Sequence, residues 1–519
     1  MAAAFELRVF DSYNLAESLR NVYTNPVEIT SKKQFAYLFG YLTDIGTKTI
    51  IIEPDYVSKD YLLDYTNYYA MCFEVYPKTC KRVHFFDSEF NEEEFKKQLS
   101  FLPKDEEFWK HYKGFIVVKP IPHKIIGTTV LETYPDKESN GLVRNYFGRR
   151  NYNIHLFGTD ISVQSLAFQE QDAVLSACAT SAIWSMLHKA SCNNYAILKT
   201  PSEITKEADI IGVQGERMFP NKGLSLLQIS KAIYQSGLVS EIRSRRNSFL
   251  SNSYLKRMVH AYAPIGIPII IGLEVFHTGS RTPGLHAVTI AGYRYNRVHP
   301  ISNPKEEITW RSETIERLFA HDDQFGPFAK ITLRDLIDLE TDWTKKDQGV
   351  FDKSGMKIEP GGRMTKLTDI VVPVYHKIRI SLDDVESIVC GIDKILWKIF
   401  PGNLPHDISW DVRLDYSDVV KREMKLLLSG QKLIDVLIKP FPKYVWVADS
   451  YIGNDISFRI IFDATDLAKS MFGFDAFFFN ENIRRDIHDK LSKIPQLSKL
   501  ITHPFKAQFL DFLKEQTAD

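Results

Sequence analysis

Between Phe168 and Leu187 the chain reads Phe-Gln-Glu-Gln-Asp-Ala-Val-Leu-Ser-Ala-Cys-Ala-Thr-Ser-Ala-Ile-Trp-Ser-Met-Leu, and this segment constrains the fold more than any other. Small and apolar residues follow Cys178 (Ala179, Ala182, Ile183, Trp184, Met186, Leu187), so the spacing predicts a helix that the cysteine opens. A helix N-terminus carries about half a positive charge and unpaired N–H groups, which favour a thiolate over a thiol. Two amides precede the cysteine, Gln171 by seven residues and Gln169 by nine. Either can supply a side-chain donor to an oxyanion. This is the layout of a nucleophilic cysteine, and it requires a base from elsewhere in the chain.

Bulk composition narrows the class. A chain of 519 residues implies more than one domain, about three at roughly 150 residues each. With 44% hydrophobic and 13% aromatic residues, buried cores are affordable and general disorder is not expected. Lys and Arg balance Asp and Glu at 65 each, which argues against a nucleic-acid-binding role. Two basic clusters, Arg243 with Arg245 and Arg246, and Arg149 with Arg150, read as solvated surface, with a phosphate grip as the alternative. The N-terminus lacks the basic-then-apolar pattern of a secretory signal. The most apolar run, Ile265 to Leu273, is far shorter than the ~20 residues that span a bilayer. Five cysteines (Cys72, Cys80, Cys178, Cys192, Cys390) are odd in number and not spaced as a disulfide or zinc framework. A soluble protein of the reducing cytoplasm, with no membrane partner, is the expectation.

The predicted fold class is α+β, with a central catalytic domain flanked by N- and C-terminal α/β regions. Residues 1–155 carry strand-like Thr49–Glu53 and Gly114–Pro120, with a helical stretch between them whose Phe95, Leu99 and Leu102 share a face. Residues 156–340 hold the Cys178 helix, then a second helix with Ser225 as N-cap, Gln228 completing a capping box and Gly237 as its stop. A helical Tyr254–Tyr262, strands at Gly266–Gly272 and His286–Tyr293, and a strand-turn-strand from Leu318 to Ile331 follow. Residues 341–366 are polar and glycine-bearing and read as a linker or loop. In residues 367–519, Val371–Ile380 and Tyr444–Ala448 are strand-like, a helix follows a Ser381 N-cap, and Ile483–Leu500 is helix-like.

Cysteine-based acyl chemistry needs a thiolate, an imidazole, a group that orients the imidazole, and oxyanion donors. The middle region offers all four in order. His286 heads an apolar strand directly after a Gly-rich loop, placing its ring at a cleft edge. Asp322 or Asp323 ends the next strand. Gln171, or Gln169, is the oxyanion donor. His277 and His321 rank below His286 as base. His188 lies ten residues past Cys178, about 15 Å down the same helix, and is excluded.

This succession resembles papain-like cysteine peptidases, and most closely the branch of the bacteriocin-leader (double-glycine) peptidases. The parts that carry the likeness are Gln171, Cys178, Gly223-Leu224-Ser225, Gly266-Ile267-Pro268, Gly284-Leu285-His286-Ala287-Val288 through Gly292-Tyr293, and Asp322 with Gly326-Pro327. It covers the middle region alone, and it departs from the branch at Ala177, commonly glycine, and in the glutamine spacing. The resemblance implies a bacterial papain-like hydrolase of protein or peptide substrates, a peptidase or isopeptidase, in which Cys178 attacks, His286 shuttles the proton, Asp322 (alternate Asp323) orients the ring and Gln171 (alternate Gln169) holds the oxyanion. No metal and no organic cofactor is implied. A transglutaminase, deamidase or acyltransferase shares the same thioacyl intermediate, and an inactive papain-like scaffold that binds a partner or signal is the reading from another class.

Overall fold

Three antiparallel sheets organise the chain, seen in a computed structural model. It describes residues 5–135, 141–172, 177–193, 195–209, 223–276, 283–297, 308–334, 336–341, 350–351, 357–359, 364–399, 408–468, 473–493 and 506–518. The N-terminal sheet has five strands in chain order: Glu6–Val9, Thr49–Tyr56, Cys80–Phe86, Tyr112–Val118 and Ile126–Leu131. Successive side chains of a strand face opposite ways, and this sheet is buried on both faces. Ile50, Ile52, Val83 and Phe85 join one core with Leu38 and Leu42 of the helix Lys33–Asp44. Ile51, Phe86 and Val117 join a second core, which runs on through Trp184 and Trp446. The helix expected between these strands is Glu92–Leu99, capped by Asn91 and Glu94 as a reciprocal pair. Phe95 is fully buried, but Leu102 lies beyond the helix end and is 97% exposed, so it does not share the core face.

The central sheet is closed. Its strands Ile269–Phe276, Gly284–Asn296, Ile315–Asp322, Gly326–Leu333, Asp338–Glu340 and Met364–Val374 pair in that order, and the last pairs back onto the first. Closure removes free strand edges. Two strands extend it: Val239–Ser244 pairs with Met364–Val374, and Leu142–Asn145 pairs with Gly284–Asn296. Of the expected linker 341–366, residues 341–363 therefore connect two neighbouring strands of one sheet, and 364–366 already belong to the second strand. Val371, expected to begin the first strand of the C-terminal region, pairs with Ile270 on one side and Ile242 on the other. Leu142–Asn145 likewise crosses from the N-terminal region into the central sheet.

The helices form where the capping chemistry places them. Ser225 accepts from the Gln228 amide N–H and the Gln228 side chain accepts from the Ser225 N–H, opening Leu226–Gln235, and Gly237 supplies the left-handed turn that ends it, at φ +92°. Ser251 caps Asn252–Tyr262, and Ser381 caps Leu382–Ile399. The C-terminal sheet pairs Ile408–Tyr416, Tyr444–Ile452, Asp455–Asp463 and Gly473–Phe478 in order. The Trp410 N–H donates to the Thr309 carbonyl at 2.8 Å and ties this sheet to the central one. The last predicted helix is present as Glu481–Lys493, and its expected continuation to Leu500 lies outside the described residues. Among the described residues, no helix is long and apolar enough to cross a membrane.

Candidate active site

Cys178 is the first residue of the helix Cys178–Ala190, and Ala177 occupies its N-cap in extended conformation. Alanine has no side-chain acceptor for the first-turn N–H groups, although the Thr180 hydroxyl accepts from the Ala177 N–H at 3.4 Å, and the positive pole of the helix faces the thiol. Trp184, Ile183 and Leu187 are fully buried and fix the helix in the core. Cys178 itself is half-buried.

His286 enters from Gly284–Asn296, which packs across this helix. Gly284 and Leu285 are exposed, His286 is 8% exposed, and Val288, Ile290 and Ala291 are fully buried. The ring thus stands where the strand passes from solvent into the core. Thr289 locks the two elements together: its hydroxyl, fully buried, donates to the Ala182 carbonyl at 2.8 Å.

Asp322 ends the neighbouring strand, and its Oδ1 lies 3.0 Å from His286 Nε2. Asp323 Oδ1 is 3.7 Å from the same nitrogen. The Gln324 N–H donates to Asp322 Oδ1 at 3.0 Å and the Gln324 side-chain amide donates to Asp323 Oδ2 at 3.0 Å, so each aspartate has its own support. The Cys178 thiol stands within reach of the same imidazole and favours its charged form. With Nε2 turned to the carboxylates, Nδ1 is the atom left for sulfur. Burial pushes the His286 pKa down, but the Asp322 carboxylate, its hydrogen bond, the Cys178 contact and Asp323 outweigh it, and the net shift is well above the ordinary histidine value. Burial and the Asp322 charge push Asp323 up to about 6, against the pull of His286.

Of the two glutamines, the structure sets Gln169 beside the cysteine. Gln169, Cys178, Ser181 and Ala287 line a cavity of about 10 Å³, room for about one water. Gln169 is buried, and among the described residues its Nε2 has no hydrogen-bond partner. Gln171 is half-buried and does not line this cavity. The N-terminal sheet holds Gln169 in place: Phe168 exchanges both backbone hydrogen bonds with Thr129, at 2.7 and 2.9 Å, and the Glu170 N–H donates to the Ile126 carbonyl at 3.1 Å. Two residues on, Asp172 accepts from the Tyr69 hydroxyl. None of Tyr69, Thr129 or Thr289 carries a local sequence signal for such a role, because each acts across a long chain separation.

The competing histidines are placed as follows. His321 is buried between the Phe168 and Phe328 rings and lines the back of the small cavity, and burial pushes its pKa down to about 3. His188 packs on Trp184, ring centroids 4.2 Å apart, and burial likewise lowers it to about 3. His277 lies outside the described residues. All five cysteines are free; burial raises Cys80 to about 12 and Cys390 to about 11, whereas Cys192 is exposed.

His286, Asp322 and Asp323 also present one metal-ligand atom each within 4.8 Å of one another, a set compatible in type with a divalent cation. No protein-family model matches the chain, and no curated protein is similar enough to it to count as a relative.

Proposed function

We propose that the protein is a cysteine hydrolase with a papain-like central domain, acting as a peptidase or isopeptidase on a protein or peptide. The observation that carries this reading is a single buried imidazole bonded to Asp322 and within reach of the thiol of a helix-opening cysteine. A histidine held cationic beside a thiol at a helix N-terminus favours the thiolate. In the proposed reaction Cys178 Sγ attacks the scissile carbonyl, and the oxyanion is met by the Cys178 N–H and the buried Gln169 amide. His286 gives its Nδ1 proton to the departing amine and a thioester remains. His286 then takes a proton from water as the water attacks the thioester, releasing the acid and restoring the ion pair. Asp322 keeps the ring's orientation through both steps.

Iodoacetamide at neutral pH tests this. Cys178 should label at least tenfold faster than the exposed Cys192, the difference should vanish in His286→Ala, and a metal chelator should leave it unchanged. Labelling of Cys178 no faster than Cys192 would refute the hydrolase. A chelator-dependent rate would instead assign His286, Asp322 and Asp323 to a metal.

A further inference from the structure

The two basic clusters of the sequence differ in their surroundings. Arg243 pairs with Glu241 and Asp383, and Arg245 pairs with Glu274. Among the described residues, Arg149 and Arg150 have no such partner. They line a cavity of about 340 Å³ together with Lys189, Asn151, Gln164 and Tyr146, and no carboxylate lines it. Among the described residues, no Asp or Glu forms an ion pair with any of the three cations.

Nor are these side chains free to swing apart into solvent. The Arg150 guanidinium donates to the His188 carbonyl at 2.7 Å, and Lys189 Nζ donates to the Arg149 carbonyl at 2.5 Å. Arg149 donates to the Thr133 hydroxyl at 3.4 Å and stacks 5.5 Å from the Tyr146 ring centroid. Each contact is to a neutral group, so it anchors the cation without neutralising it. Lys189 is pushed down from the ordinary lysine value, by burial first and then by Arg150 and Arg149 despite an opposing effect of Cys192. Three like charges held together repel one another, and a multiply charged anion relieves that repulsion.

We propose that this cavity, between the strand hairpin Arg150–Leu156/Thr159–Ser165 and the end of the Cys178 helix, is a binding site for a multiply charged phosphate anion. Arg149 and Arg150 supply forked donors, Lys189 a point charge, and the Asn151 and Gln164 amides neutral donors. The volume lies at the small end of ligand sites, which run from about 300 to 1,000 Å³. The site stands apart from Cys178 and does not depend on the hydrolase reading.

Calorimetric titration of the full chain with pyrophosphate tests it. Pyrophosphate should bind at one site, at least tenfold more tightly than inorganic phosphate, and more weakly as ionic strength rises. ADP binding as tightly as pyrophosphate would assign recognition to the phosphates alone, and tighter binding would assign the source to a nucleotide; both support the site. Gln164 is exposed on its strand, so Gln164→Glu should fold normally yet weaken pyrophosphate at least tenfold by placing a carboxylate in the cavity, and Lys189→Met should weaken it comparably. No binding of either probe by the wild-type chain, or binding untouched by Gln164→Glu, would overturn the proposal.

Discussion

His286 is a buried group that nonetheless favours its charged form, and the balance rests on one neighbour. Burial alone would hold the ring neutral at pH 7; the carboxylate of Asp322 at 3.0 Å is the largest opposing influence. The folded pKa is raised, so the imidazolium persists through neutral pH and is lost only as pH climbs past that raised value. Asp322→Asn keeps a hydrogen-bond acceptor and removes the charge, which lets burial win. The imidazolium should then be lost near neutrality, and Cys178 alkylation at pH 7 should slow at least tenfold. Histidine NMR titration checks the cause directly: a His286 titration unmoved by the substitution would remove Asp322 from this role. Gln169 shows how far residue-level reading goes. Two glutamines stood at plausible spacing from Cys178, and only the pairing of Phe168 with Thr129 brings the one nine residues upstream into the cavity. That contact joins a loop residue to a strand of the N-terminal sheet far back in the chain, so no local pattern announces it.

At the scale of elements, a helix and a strand must be held in fixed relation for thiol and imidazole to meet. Thr289 does this through its buried bond to the Ala182 carbonyl, one helical turn past Cys178. Thr289→Val preserves shape and loses the hydroxyl. It should lower stability by about 1 kcal/mol in denaturant unfolding, and slow Cys178 labelling severalfold while labelling of Cys192 is unaffected. A loss of stability with no change in Cys178 labelling would mean that packing alone aligns the pair. The same contrast between local and distant contacts decides which elements were legible in the sequence. The Ser225–Gln228 box, the Gly237 stop, the Ser381 cap and the start of the Cys178 helix are local chemistry and read directly from residue order. The place of Met364–Val374 is only partly local: besides Asp338–Glu340 it pairs with Ile269–Phe276 and Val239–Ser244, far upstream in the chain, and the polar stretch before it imitates a domain linker. Leu102 fitted a helical face by spacing, but the helix ends at Leu99, before that spacing can operate.

For the whole molecule, the N-terminal sheet helps to build the candidate site, because the loop carrying Gln169 is stitched to it and a second polar seam joins it to the central region. In that seam the helix Lys59–Asn67 meets the helix Pro201–Ala208. The Ser202 N–H donates to Asp64 Oδ1 at 3.3 Å, the Asn67 amide donates to the Ser202 hydroxyl at 3.1 Å, and Lys206 donates to the Asn67 side-chain carbonyl at 3.1 Å. Asp64 is half-buried there; desolvation raises its pKa to about 7, with Asp172 adding to the rise, while the Ser202 bond and Lys119 oppose it. An unfolded aspartate releases its proton near pH 4. Between about pH 4 and 7 the folded chain therefore holds a proton that the unfolded chain has lost, and stability falls as pH rises through that window. Asp64→Asn retains the acceptor for Ser202 and abolishes the titration. The variant should be more stable than the wild type at pH 8, by about 1–3 kcal/mol, and its advantage should shrink towards zero as pH falls to 4. Paired thermal melts at pH 8 and pH 5 separate this from a general packing effect. An equal gain at both pH values would reduce the effect to packing, and a loss at pH 8 would show that Asp64 stays charged in the fold.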